Sequence, residues 1–157
     1  NHGERIDRII NAISYLAKKY DDHIFVIPVH PNPNVKEKFY SRLSDLKNIK
    51  LLNPLDYPYL VYLMKNAKLI LTDSGGIQEE APSFACPTLV MRYETERKEG
   101  IEVGVSKLVG ADYDKIITEA EKILTKDISQ TRLKVKNPYG DGTTSKKIVE
   151  IIRKYFS

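Results

Sequence analysis

Three stretches of the sequence carry side chains suited to holding an anion. The sharpest is Asp73-Ser74-Gly75-Gly76-Ile77-Gln78-Glu79-Glu80, directly after the apolar triplet Leu69-Ile70-Leu71. Two glycines between a strand and a helix let the backbone approach a ligand closely, and the helix start behind them offers unpaired N–H groups and the positive end of the dipole. Ser74 adds a hydroxyl at that corner. Glu80, four residues beyond Gly76, falls on the same helix face one turn further in. A phosphate at the glycines with a sugar hydroxyl on Glu80 fits this spacing. A tight turn whose acidic residues favour the helix dipole fits it equally. The second stretch, Pro28-Val29-His30-Pro31-Asn32-Pro33, holds an imidazole on a stiff loop, where it could meet a phosphate or carboxylate. A locally hydrogen-bonded loop histidine is the plainer alternative. The third, Met91-Arg92-Tyr93-Glu94-Thr95-Glu96-Arg97-Lys98-Glu99-Gly100, is either a solvated charge run or a strand exit whose arginine forks onto phosphate oxygens. No spacing of His, Asp and Glu suggests a metal site.

These stretches need elements to position them, and the apolar pattern supplies two alternating periods. Ile6, Ile9, Ile10, Ile13, Leu16 and Ala17 recur at three and four, which predicts a helix to about Tyr20. Ile24–Val29 is a continuous β-branched run, as in a strand covered on both faces. Further strands are expected at 49–52, 69–71, 88–91 and 107–109, with helices at 34–46, 60–67, 77–84, 116–124 and 148–155. Asn137-Pro138-Tyr139-Gly140-Asp141-Gly142 is a turn cluster that launches the last helix, with Thr143, Thr144 or Ser145 as candidate caps. Short strands alternating with helices imply βαβ units, and the right-handed crossover rule leaves a doubly wound, Rossmann-like parallel sheet as the simplest topology. Ligands of such sheets bind at the carboxyl ends of the strands, where all three stretches fall.

Composition sets the outer limits. The 157 residues are 41% hydrophobic and 29% charged, as expected for one globular domain with a substantial core. A net charge of +4, spread along the chain without an aromatic stacking motif, argues against nucleic acid as a partner. No apolar run approaches the roughly 18 residues of a membrane span, so no membrane partner is expected. The single cysteine, Cys86, excludes an internal disulfide framework. A cytoplasmic setting is the default expectation.

Taken together and in order, the motifs are more specific than any one alone. Asp73–Ser83, Thr95-Glu96-Arg97 with Glu99-Gly100, Val29-His30 with Asn32-Pro33, and Asn137–Gly142 resemble the non-hydrolysing UDP-N-acetylglucosamine 2-epimerases over essentially the whole chain. Family members carry a His-Arg-Arg-Glu-Asn stretch where their second domain begins, and this chain opens on Asn1, followed by His2-Gly3-Glu4. The resemblance therefore implies residues 1–157 as a single UDP-binding domain, one half of a glycosyltransferase-B-like architecture whose N-terminal domain is absent. It implies that Ser74, Gly75 and Gly76 hold the diphosphate, that Glu80 binds the ribose hydroxyls, and that Arg97 contacts the UDP-sugar or helps close the site. Leu60 aligns with a uracil contact and Leu55 with another nucleotide contact, although Leu55 is apolar where a glutamine can occur. His30 aligns with a histidine that touches a second, regulatory UDP-N-acetylglucosamine. Tyr93-Glu94 and Lys98 depart from the family pattern around Arg97. The implied partners are UDP, a UDP-N-acetylhexosamine, the N-terminal domain and a second copy in a homodimer. No metal or nicotinamide cofactor is implied, and the proton-transfer residues are expected in the other domain. A UDP-sugar glycosyltransferase and a non-catalytic nucleotide-sugar-binding module are the alternatives.

Overall fold

The computed structural model describes residues 2–156, the side chain of His2 excepted, so the motif expected around Asn1 and His2 lies outside the described residues. Helix α1 (His2–Lys19) opens the domain, with Glu4 in its first turn and Lys18 and Lys19 in its last, as the helix dipole favours. The predicted stripe is its buried face, and Ala12 joins it. Strand β1 (Phe25–Pro28), helix α2 (Pro33–Leu43), strand β2 (Ile49–Leu52) and helix α3 (Tyr57–Asn66) follow. Strand β3 (Ile70–Thr72), helix α4 (Gly75–Glu80) and strand β4 (Thr88–Val90) make the central unit. Helix α5 (Lys98–Glu102), strand β5 (Ser106–Leu108), and helices α6 (Tyr113–Leu124), α7 (Ile128–Thr131) and α8 (Thr144–Phe156) complete the chain.

Every strand pairing is parallel. Hydrogen bonds group the strands as β1–β2 and as β3–β4–β5, and one apolar cluster spans both groups. Strand β4 shows that both faces are covered. Leu89 and Met91 join the cluster with α1 and α6, while Thr88 and Val90, pointing the other way, are fully buried outside it. Helix α1 packs between α2 and α6, and α3 packs on the segment after α4. This is the Rossmann-like α/β arrangement that the alternation predicts.

Two local expectations need correction. Residues 77–84 are not one helix: α4 ends at Glu80 and a 3-10 turn runs from Ala81 to Phe84. Pro82 has no N–H for the carbonyl four residues back, so the α-helical ladder stops there. Ala85 then closes the turn in the left-handed region at φ 52°. The charge run after β4 is not wholly irregular either, because Lys98–Glu102 forms α5.

Candidate functional site

The Ser74 corner is built by backbone bonds. Thr72 Oγ1 accepts the Ser74 N–H at 3.1 Å, and the Ser74 carbonyl accepts both the Gln78 N–H at 3.3 Å and its side-chain amide at 3.2 Å. Ser74 is the N-cap of α4 with extended backbone, yet its hydroxyl makes no capping bond. The hydroxyl makes no bond to the helix, and the first N–H groups of α4 have no partner within it. The same holds for the N-caps of α3 (Asp56) and α5 (Arg97), neither of which caps its helix through its side chain. By contrast, Asn32 accepts an N–H of α2 and Asp112 an N–H of α6. Three helices that start around the Ser-Gly-Gly corner thus lack a side-chain cap.

Arg97 reaches this corner. A Cβ on Gly75 would lie 3.0 Å from the Arg97 guanidinium carbon, tighter than ordinary van der Waals contact, so the guanidinium packs close against the bare face of Gly75. Gly76 has only the Ser74 hydroxyl, at 3.8 Å, near its own missing Cβ. The two glycines thus do different work: one seats an arginine and the other stays open. Arg97 Nε donates to Glu79 at 2.8 Å and Nη1 pairs with Glu96, so Nη2 is the unengaged edge among the described hydrogen bonds. The Glu79 bond, more than any other neighbour, raises the guanidinium pKa further, which keeps it a fixed cation.

Its backbone is held as firmly. The Arg97 N–H donates to Thr95 Oγ1 at 3.1 Å, and that hydroxyl donates to Gln78 Oε1 at 2.7 Å. Gln78 is buried, so one amide side chain joins the Ser74 carbonyl to the loop that carries Arg97. Sequence reasoning missed Gln78 and Glu79 as site residues. The spacing that selected Glu80 four after Gly76 also places Glu79 four after Gly75, and that signal could have found it.

Glu80 is half-buried at the end of α4, and its carboxylate, beside the Tyr57 phenol, holds that phenol above its ordinary pKa. This contact brings the start of α3 beside the end of α4. Leu55 just precedes α3 and Leu60 lies in its first turns, both half-buried. Tyr57 was not anticipated, and a tyrosine at a helix start gives no signal by itself. Arg5 donates to the Met91 carbonyl at 2.6 Å and stands 4.0 Å from Asp73, where it lines an open concavity with residues 92–96. His30 is not drawn into this cluster. It is exposed beyond β1, its Nδ1 accepts the Asn32 N–H at 3.2 Å, and no described ion pair joins it to the corner.

Comparison with known proteins bears on what the corner holds. A family model described as UDP-N-acetylglucosamine 2-epimerase matches residues 1–153. The UDP-N-acetylglucosamine 2-epimerase of Campylobacter jejuni is 46% identical over 155 residues, which cover 98% of this chain and 40% of that protein. The crystal structure of the Neisseria meningitidis enzyme bound to UDP-GlcNAc superposes with a TM-score of 0.90 at 46% identity, over 98% of this chain and 42% of that one. A Methanocaldococcus jannaschii structure in complex with UDP-GlcNAc and UDP gives a TM-score of 0.82 at 37% identity, over 97% of this chain and 41% of that one. The chain spans about two fifths of the length of the relatives it matches.

Proposed function

The chain belongs to the UDP-N-acetylglucosamine 2-epimerase family, and from that premise we propose that it is the UDP-binding part of an enzyme interconverting UDP-N-acetylglucosamine and UDP-N-acetylmannosamine. The observation that carries this reading is the Ser74 corner, where a hydroxyl free of capping, the uncapped first turn of α4 and the Arg97 guanidinium come together close to Glu80.

The reaction is inversion at carbon 2 of the sugar. In the elimination step the carbon 2 proton leaves, its electron pair forms a carbon–carbon double bond, and the bond from carbon 1 to the β-phosphate oxygen breaks. UDP departs with that electron pair. Re-addition reverses the step with a proton delivered to the opposite face. The task of this chain is to stabilise the growing negative charge on the β-phosphate and to retain UDP meanwhile. Fixed N–H groups and a fixed guanidinium do so without reorganising, which is the main source of electrostatic catalysis. Glu80 takes the ribose hydroxyls, and Leu55 and Leu60 flank the base. Proton transfer falls to the remainder of the enzyme, an N-terminal domain that closes over the sugar and excludes water. The family resemblance also supports a cytoplasmic homodimer and His30 as a contact for a second, regulatory UDP-N-acetylglucosamine. The described residues include no helix long and apolar enough to cross a membrane.

Isothermal titration of UDP into the full-length protein that carries this chain tests the assignment. Arg97→Ala, Ser74→Ala and Glu80→Ala are each expected to weaken UDP binding by about tenfold or more, the loss of a charge-assisted or bidentate hydrogen bond. Wild-type affinity in all three variants overturns the reading.

A further inference from the structure

Tyr139 lies in the turn cluster before α8, 42 residues from Arg97 in sequence, yet its hydroxyl sits between two backbone groups of the Arg97 segment. It donates to the Arg97 carbonyl at 3.1 Å and accepts the N–H of Gly100 at 3.0 Å. Gly100 is buried, and a Cβ there would meet the same hydroxyl at 3.0 Å, so a glycine is what lets the phenol reach this position. The loop is anchored at its other end as well. Asn137 donates from its side-chain amide to Ser83 Oγ at 2.7 Å, and its carbonyl oxygen accepts the Tyr139 N–H at 2.9 Å. Residues 137–139 therefore tie the 3-10 turn that follows α4 to the start of α5. Glu79 and Gly75, which receive the Arg97 guanidinium, lie in α4 directly before that turn, and Arg97 is the N-cap of α5.

We infer that Tyr139 is a positioning residue that fixes the Arg97 backbone relative to Gly75 and so aims the guanidinium at the diphosphate of a bound nucleotide. The inference rests on the reading of Arg97 as a diphosphate contact. An arginine side chain loses much rotamer entropy when it is ordered, and a backbone held in place leaves less to lose on binding. Tyr139 does not touch the nucleotide, and its effect passes through Arg97.

The test compares UDP with uridine, which lacks the diphosphate, by calorimetry on the full-length protein. Tyr139→Phe keeps the ring and removes both hydrogen bonds. It is expected to weaken UDP by about five- to tenfold, the worth of one or two hydrogen bonds, and to leave uridine unchanged. Gly100→Ala, which pushes the hydroxyl away while retaining Tyr139, is expected to give the same UDP-selective loss. In an Arg97→Ala background Tyr139→Phe should add nothing, because the group it positions is gone. Equal weakening of UDP and uridine, unchanged UDP affinity, or a full additive loss in the double variant each overturns the proposal. If Arg97→Ala weakens UDP while Tyr139→Phe does not, only the positioning role falls. If Arg97→Ala is itself without effect, the diphosphate assignment falls and takes the proposal with it.

Discussion

The two ends of the parallel strands differ in how fully side chains close off their helix termini. At the amino ends, where helices finish, side chains close off the last carbonyls. Arg132 donates to the carbonyls of Phe84 at 3.0 Å and Lys65 at 2.7 Å, capping the 3-10 turn and α3 together. Lys68 donates to Leu124 at the end of α6, and the Asn48 amide reaches the carbonyl of Ala17 in the last turn of α1 and those of Tyr20 and His23 beyond it. These are the cations and donors that helix C-termini favour. At the carboxyl ends, α3, α4 and α5 start from N-caps whose side chains make no capping bond. Buried polar groups are normally paired, and helix starts left without a side-chain partner stay available to an oxygen atom from outside the chain. One end of the sheet is closed by the protein's own side chains; at the other, the starts of α2 and α6 are capped by Asn32 and Asp112, and those of α3, α4 and α5 are left open.

Substitutions at the two ends should therefore separate stability from affinity. The largest effect is expected from Arg132→Ala, which leaves the Phe84 and Lys65 carbonyls without their shared cap. Loss of these charge-assisted bonds should cost about 2 kcal/mol, or roughly 4–8 °C in the melting temperature of a domain this size, with UDP affinity unchanged. Calorimetric melting and titration on the same preparation check both halves of that statement. A smaller and opposite outcome is expected from Gly75→Ala. The added Cβ crowds the Arg97 guanidinium, coming within 3.0 Å of its carbon. UDP affinity should fall by about fivefold as the arginine shifts, whereas stability stays level or rises by up to about 1 kcal/mol, because alanine suits a helix better than glycine. A melting temperature that falls with affinity would show that Gly75 serves the fold more than the ligand.

How much of this could be read from the sequence depends on how far apart the interacting residues lie. Helix α1 was legible because Ile9, Ile10, Ile13 and Leu16 repeat at helical spacing, and β4 because Thr88–Val90 is apolar or β-branched throughout. The placing of Ser74 before a helix and of Glu80 one turn beyond Gly76 follows from local spacing alone, and Glu79 is reached by the same rule. The break at Pro82 was also visible in the residue type. Helix α5 was not, since its five residues sit within a charge run and its first turn leans on Tyr139 through Gly100. The use of Gly75 as a seat for Arg97 depends on a contact across 22 residues that no periodicity encodes. Tyr139, further still from its partners, was visible only as part of a turn.

The smallest effect separates the two ends by pH. Glu119 on α6 bonds Lys107 of β5 and Lys122 one turn along, each at 2.8 Å, and its side chain is only 14% exposed. The Lys107 hydrogen bond first, and the Lys122 bond next, hold its pKa below the ordinary value of 4.5. A carboxylate whose pKa is lowered by folding stabilises the native state above its unfolded-state pKa, and that contribution disappears as pH falls through the lowered native value. Denaturant melts of wild type should accordingly lose stability on acidification below about pH 4.5, and Glu119→Gln should flatten part of that limb. At neutral pH the substitution should cost no more than about 1 kcal/mol, the usual worth of a partly exposed pair. UDP affinity at pH 7 should not move, because neither lysine nor α6 contributes to the Ser74 corner. A parallel loss of affinity in Glu119→Gln would mean that the completed end of the sheet holds the open end in shape, and that the division between them is one of degree.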